Sequence, residues 1–236
     1  MEPAREGSRE GMRGIDYFNR DHPLHRLKAW AALRSRRRMY RRVLELIRPT
    51  RETRIVDVGT TPDMEVPYNN FFERWYPYPD RITACSVEDC ARLERDFPGL
   101  RFRRIEGDAL PFGDREFDAA LSFAVLEHVG PGDRQGVFLR ELARVASQFV
   151  VYTPYRYFPV EVHTLLPLMH WLPASWHRPL WRRLGLGFWA EERHLSLLSV
   201  REAKRLLSPV GPAAVRLIWS LGWPSHIEIY WRAPAP

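Results

Sequence analysis

Arg54–Asp63, "RIVDVGTTPD", is the stretch from which the rest of the chain can be read. Ile55, Val56 and Val58 form a short apolar run, as in a strand buried on both faces of a parallel sheet. Asp57 sits inside that run and Gly59 ends it, which is how a nucleotide-binding strand and loop begin. The loop then departs from the glycine-rich form, continuing Thr60, Thr61, Pro62, Asp63. Fewer glycines leave less room for positive φ and close backbone approach, so the loop must take another path. A buried strand running into an ordinary turn is the plainer alternative.

Strand and helix patterns alternate downstream. "RITACSV" (81–87), "LRFRRIEG" (100–107), "FDAALSF" (117–123) and "QFVVYT" (148–153) read as strands, while "DCARLERDF" (89–97) and "DRQGVFLRELARVAS" (133–147) have helical spacing. Strands separated by helices of this length imply a parallel sheet with right-handed crossovers. Towards the end "SVRE" (199–202) is a capping box that opens another helix. "AVRLIWSLG" and "HIEIYWRA" read as an antiparallel hairpin at the sheet edge, turning at Gly-Trp-Pro-Ser (222–225).

The 236 residues suit one α/β domain with additions. Residues 1–54 carry a net charge of +8 and the remaining 182 a net −1, so the basic character belongs to the N-terminal segment. "RSRRRMYRR" places six arginines between Arg34 and Arg42, a patch that could meet nucleic acid or an anionic membrane. The reading preferred here is a helix lying on the domain, with Tyr40, Val43, Leu44 and Ile47 inward and the arginines in water. Two cysteines, Cys85 and Cys90, make no disulfide framework, and the polar start "MEPAREGSREG" resembles neither a signal nor an anchor. A reduced, cytoplasmic protein is expected, with residues 1–53 a basic helical extension and 54–236 the main domain.

Ligands of such sheets bind beyond the carboxyl ends of the strands. Here those ends read Asp57-Val58-Gly59, Ser86-Val87-Glu88-Asp89, "EGDALPF" and "SFAVLEHVG". Four polar or glycine-bearing strand ends in succession are harder to attribute to turns than one. The series "VDVGT", "ITACSVED", "GDALPFGDREFDAALSFAVLEHV" and "ELARV" resembles the class I S-adenosylmethionine-dependent methyltransferases that act on small molecules, most specifically in "GDALPFGDREFD…VLEHV". The likeness runs from about Arg54 to Thr153, and "TPYRYFPVEVHTLLPLMHWLP" is similar to a block of a less characterised bacterial subgroup. The resemblance implies a Rossmann-like, seven-stranded, mostly parallel sheet of order 3-2-1-4-5-7-6, its last strand antiparallel, with helices on both faces.

It also implies roles. Asp57, Gly59 and Thr60 correspond to the first motif, around the methionine end of S-adenosylmethionine. Ser86 stands where an acid normally takes both ribose hydroxyls, so Glu88 is expected to reach the ribose instead. Asp108 corresponds to the acid near the adenine amino group, with Ala109 making a backbone contact. Phe123 and Ala124 would lie beside the methionine arm. The link from Asp57 to Ser86 is long, and its aromatic insert "DMEVPYNNFFERWYPYPD" is expected either to cover the cofactor or to pack as a loop and helix.

Methyl transfer from a sulfonium needs orientation first, and a general base only if the acceptor loses a proton. His163 is the expected base, with His128 and Glu127 behind it. Glu161, His163, His170 and His177 match no compact metal-ligand motif, so no metal is expected. The insert at about 155–190 is rich in Trp and Arg. It reads as a lid over a small-molecule acceptor, in preference to a membrane contact through Trp171–Trp189. A nicotinamide enzyme lacks its GxGxxG here. A non-catalytic protein that keeps the fold, and an RNA methyltransferase using the basic segment, are the alternatives.

Overall fold

Strand β1 (Ile55–Val58) lies at the centre of the sheet, with every residue buried. The computed structural model describes residues 23–220 and 222–234, so the polar first residues read above lie outside it. On one side of β1 runs β2 (Ile82–Ser86), then β3 (Arg101–Arg104). On the other run β4 (Ala119–Phe123), β5 (Gln148–Pro154), β7 (Trp223–Arg232) and β6 (Ala213–Ser220). The order is therefore 3-2-1-4-5-7-6. Pairings among β1–β5 are parallel, and β7 runs antiparallel to both β5 and β6. The register sets Asp57 opposite Ala84 and Leu121, so one carboxyl rim collects the ends of β1, β2 and β4.

Side-chain alternation sends Ile55, Ala84, Leu121 and Val150 to one face and Val56, Val58, Cys85 and Val151 to the other. Helices α4 (Gly132–Val145) and α6 (Val200–Leu207) cover the second face. The first is covered by α1 (Pro23–Ile47), α2 (Phe71–Trp75) and α3 (Arg92–Asp96). β3 is largely exposed and carries Arg101, Arg103 and Arg104, charges that protect an edge strand from pairing with another chain.

Two expectations need adjustment, and a third is narrowed to one of its alternatives. The capping box forms, with Ser199 and Glu202 exchanging bonds, and the terminal hairpin is antiparallel; but Trp223, Pro224 and Ser225 already belong to β7. A bulge between Ile218 and Trp219 accommodates the proline. In α1, Val43 and Ile47 are buried with Met39, and Tyr40 and Leu44 pack beside them. The arginines do not all face water. Arg34, Arg37, Arg38 and Arg41 are exposed, whereas Arg36 and Arg42 turn inward. Finally, the insert after β1 packs into the core, its Phe71 meeting Phe123 edge to face at 4.6 Å.

Candidate active site

Beyond β1 the loop is held by the insert. Asn70 accepts the Thr61 amide through Oδ1 at 3.1 Å and returns Nδ2 to the Thr61 carbonyl at 2.7 Å. This two-point clasp directs a loop that lacks the usual glycines. Gly59 has φ +104, and a Cβ there would stand 2.0 Å from Val125 Cγ2, so the loop after β4 rests directly on it. Thr60 is buried with its hydroxyl unpartnered.

Asp57 is 4% exposed. Burial, reinforced by the neighbouring Glu73 carboxylate, raises its pKa well above the carboxylate range, while Arg36 pulls the other way. Glu73 is itself buried, with its carboxyl within hydrogen-bonding reach of the Asp57 carboxyl. Arg36 arrives from α1, its guanidinium carbon 5.3 Å from the centre of the Phe71 ring. Burial lowers its pKa, opposed by the charges of Glu127 and Asp57. His226 on β7 is pushed down to about 3 by burial and by Arg36, so its ring is neutral. These groups line a region with an excess of buried acid. The methionine end of S-adenosylmethionine carries an ammonium and a sulfonium beside its carboxylate; the buried Asp57–Glu73 pair fits the ammonium, and the unpartnered Thr60 hydroxyl can donate to the carboxylate.

The other rim candidates differ in exposure. Ser86 is buried and accepts the Glu88 amide at 3.2 Å, shaping the turn that carries exposed Glu88. Asp108 and Ala109 are exposed, with Asp108 3.8 Å from Arg134. The segment that follows them is pinned by Arg144 of α4, which donates to the carbonyls of Leu110 and Phe112. Phe123 stacks on Tyr152 at 5.9 Å. Ala124 holds φ +57 and donates its amide to the Tyr152 carbonyl, turning the chain sharply out of β4.

That turn leads into a 3-10 segment, Leu126–His128. Glu127 is fully buried; its Oε2 accepts the Thr153 hydroxyl at 2.9 Å and its Oε1 has no partner. Gln135 of α4 donates to the carbonyls of Leu126 and Ser196, and the Ser196 amide donates to the Glu127 carbonyl, fastening the turn to the far end of the insert. His128 Nδ1 lies 2.7 Å from the His194 carbonyl. His163 comes from the insert itself, and its Nδ1 lies 2.7 Å from Glu161 Oε1. Burial would raise the pKa of Glu161, but His163 and the amides of His163 and Thr164 outweigh it and hold it below the usual value. The three residues expected to be catalytic therefore meet, with the His128 and His163 rings 4.8 Å apart and Trp189 beside both.

The insert folds around its own small core of Trp181, Ala190 and Leu195, with α5 (Ala174–Arg183) and a 3-10 turn at Met169–Trp171. His170 and His177 are structural here. Each is buried with a ring nitrogen against a carbonyl, that of Phe158 or of Leu172. Between the insert, α4 and α6 lies a cavity of about 160 Å³ lined by Arg156, His177, Arg178, Glu192 and Glu202 among others. No helix among the described residues is long and apolar enough to cross a membrane.

Sequence reasoning missed Glu73 and Arg36. Glu73 sits in "FFERW", a helix of one and a half turns with aromatics on every side, which leaves no face for water. Arg36 lies at i−4, i−7 and i−11 from Tyr40, Val43 and Ile47, on the very stripe that was read as inward.

Residues 81–148 match the family model described as a methyltransferase domain. No curated protein matches the chain. Several solved structures share its fold. One is geranyl diphosphate C-methyltransferase from Streptomyces coelicolor A3(2), solved with Mg2+, geranyl diphosphate and S-adenosyl-L-homocysteine. It is 12% identical over 91% of this chain and 85% of that one, with a TM-score of 0.57. A second is 1,6-didemethyltoxoflavin-N1-methyltransferase from Burkholderia thailandensis, solved with 1,6-didemethyltoxoflavin and S-adenosylhomocysteine, at 16% identity, 87% and 79% coverage and TM-score 0.54. A third, a SAM-dependent methyltransferase from Aquifex aeolicus, gives 14%, 81% and 87%, and 0.51. At these identities the likeness speaks for the fold, and the domain match speaks for what that fold carries. Residues 81–148 are thus similar to a methyltransferase domain, set in a fold that solved S-adenosylmethionine-dependent methyltransferases share.

Proposed function

We propose that the protein transfers a methyl group from S-adenosylmethionine to a small-molecule acceptor held between the strand rim and the 155–190 insert. The observation that carries this reading is the buried acid at the carboxyl end of β1, where Asp57 and Glu73 are buried against each other and the buried hydroxyl of Thr60 has no partner. When bound, the cofactor supplies an already activated methyl group. The chain's own contribution is then binding and orientation. Asp57, Gly59 and Thr60 would hold the methionine end, Glu88 the ribose, Asp108 and Ala109 the adenine, and Phe123 and Ala124 the arm between them. Glu127, His128 and His163 face the acceptor side, where the insert brings His163 against the β4 turn.

Calorimetric titration tests the assignment. S-adenosylmethionine and S-adenosylhomocysteine should bind at about micromolar Kd, near −8 kcal/mol, and NADH should not. Asp57→Ala and Asp108→Ala should each weaken binding by about 1–3 kcal/mol; full affinity in both variants rejects the site. The second reading is a protein that keeps the fold without the cofactor, and Val125 packed on Gly59 is the observation on its side. A flat titration with S-adenosylmethionine would decide for it.

A further inference from the structure

The residues on the acceptor side have a geometry of their own. His128 and His163 stand far apart in the chain, yet their rings meet edge to face. Each Nδ1 is committed, in His128 to the His194 carbonyl and in His163 to Glu161 Oε1. A carbonyl or a carboxylate only accepts, so in the neutral rings Nδ1 carries the proton and Nε2 presents a bare lone pair. Glu127 Oε1, buried and unpartnered, lies 3.8 Å from His128 Nε2. One donor atom from each of the three residues lies within 4.8 Å of the other two. With the ring neutral, His128 Nε2 and Glu127 Oε1 face each other without a hydrogen between them and repel, and a cation placed among the three residues converts that repulsion into ligation.

We propose that Glu127, His128 and His163 form a binding site for a divalent first-row transition ion. Two imidazoles and one carboxylate suit zinc, iron or cobalt, whereas magnesium and calcium prefer oxygen alone. The outer partners that such centres need are already present. Glu161 and the His194 carbonyl fix the two rings, and Thr153 fixes the carboxylate. Three protein ligands leave positions open for water or for an oxygen of the acceptor. The acceptor's part rests on the methyltransferase reading; the ion's does not. With bonds of about 2.0–2.1 Å, ligand atoms around a tetrahedral ion stand ~3.3 Å apart, so the cluster must contract on loading. His163 lies on the insert and not on the sheet, which lets it make that adjustment.

The test uses the full chain, free of any polyhistidine tag, stripped with chelator and titrated with Zn2+ by calorimetry and with Co2+ by visible absorption. No S-adenosylmethionine is present, so the outcome is independent of cofactor binding. One equivalent should bind, and Co2+ should develop ligand-field bands. His128→Ala and His163→Ala should each lower affinity by about 100-fold or more, and Glu161→Gln by about 10–100-fold through loss of ring orientation. Circular dichroism accompanies every variant. If His163→Ala melts early, His163→Gln, which keeps a donor for Glu161, is read in its place. Absence of saturable binding, or wild-type affinity in both histidine variants, overturns the site.

Discussion

Asp57 and Glu73 are two carboxyls in one buried space, and their energetics set the behaviour of the site. Burial, then Glu73, places the folded-state pKa of Asp57 well above its unfolded value. The folded protein therefore holds that proton more tightly, and Asp57 favours folding at low pH. The advantage fades as pH rises from about 4 through the raised folded value. Above the unfolded value the buried carboxyl works against stability, increasingly so until pH passes the raised folded value. Asp57→Asn should accordingly raise the melting temperature of the cofactor-free protein near pH 8, with ~2–4 °C expected per kcal/mol gained, and the difference should shrink towards about pH 5. The same variant should lose affinity for S-adenosylmethionine. Thermal melts across pH check the first part; a variant less stable than wild type at the higher pH contradicts it. Gly59 gives a second case. A methyl there meets Val125 and forces an L-residue to φ +104. Gly59→Ala should cost about 2 kcal/mol or more in denaturant unfolding. Adding Val125→Ala should recover only part of the loss, because the backbone strain remains; complete recovery would mean that the clash is the whole effect.

Helix α1 shows how one element serves two purposes. Its outward arginines meet solvent, while Arg42 reaches Glu228 on β7 at 3.4 Å, and Glu228 also accepts the Tyr152 hydroxyl at 2.6 Å. Glu228 is 1% exposed, so those two contacts stand in for the water its carboxylate has lost. Arg42→Ala should destabilise the protein by about 1–3 kcal/mol, and Arg41→Ala by no more than about 0.5 kcal/mol. Equal melting temperatures for the two variants would show that the inward arginine contributes nothing. The parts of the fold that follow from periodicity were legible in the sequence: "RIVDV" and "QFVVYT" as buried strands, "SVRE" as a cap, and Val43 and Ile47 as an inward stripe. Glu73, Arg36 and the clasp of Asn70 on Thr61 were not. Their meaning depends on which elements become neighbours, and a five-residue helix after a long loop has too little period to reveal it. The three catalytic candidates were named one by one, but their convergence comes from the path of the insert, which brings His163 against a turn on the opposite side of β5. Spacing along the chain carries no trace of that approach.

Over the whole molecule, charge and chemistry are separated. The positive excess lies in the N-terminal segment, and among its described residues Arg34, Arg37, Arg38 and Arg41 are exposed. Asp57, Glu73 and Glu127 are buried at the strand rim, and of the arginines described it is Arg36, not these four, that turns towards Asp57 and Glu127. The separation bears on the class of acceptor. A polyanion such as RNA would be attracted to the basic helix, but this contact is to phosphates, independent of sequence and driven by counterion release. With four outward arginines as phosphate ligands, the logarithm of the binding constant should fall against the logarithm of salt with a slope of about −3 to −4. Binding to a mixed RNA should therefore be measurable at low ionic strength and largely lost by physiological salt. Substituting Arg37, Arg38 and Arg41 together by glutamine should flatten the slope without changing the affinity for S-adenosylmethionine, since none of the three turns towards Asp57. Filter binding across a salt series provides the measurement. Tight, sequence-selective retention of an RNA at physiological salt would make RNA the acceptor and replace the small-molecule reading, because arginines on a solvated helix face supply affinity but no selectivity.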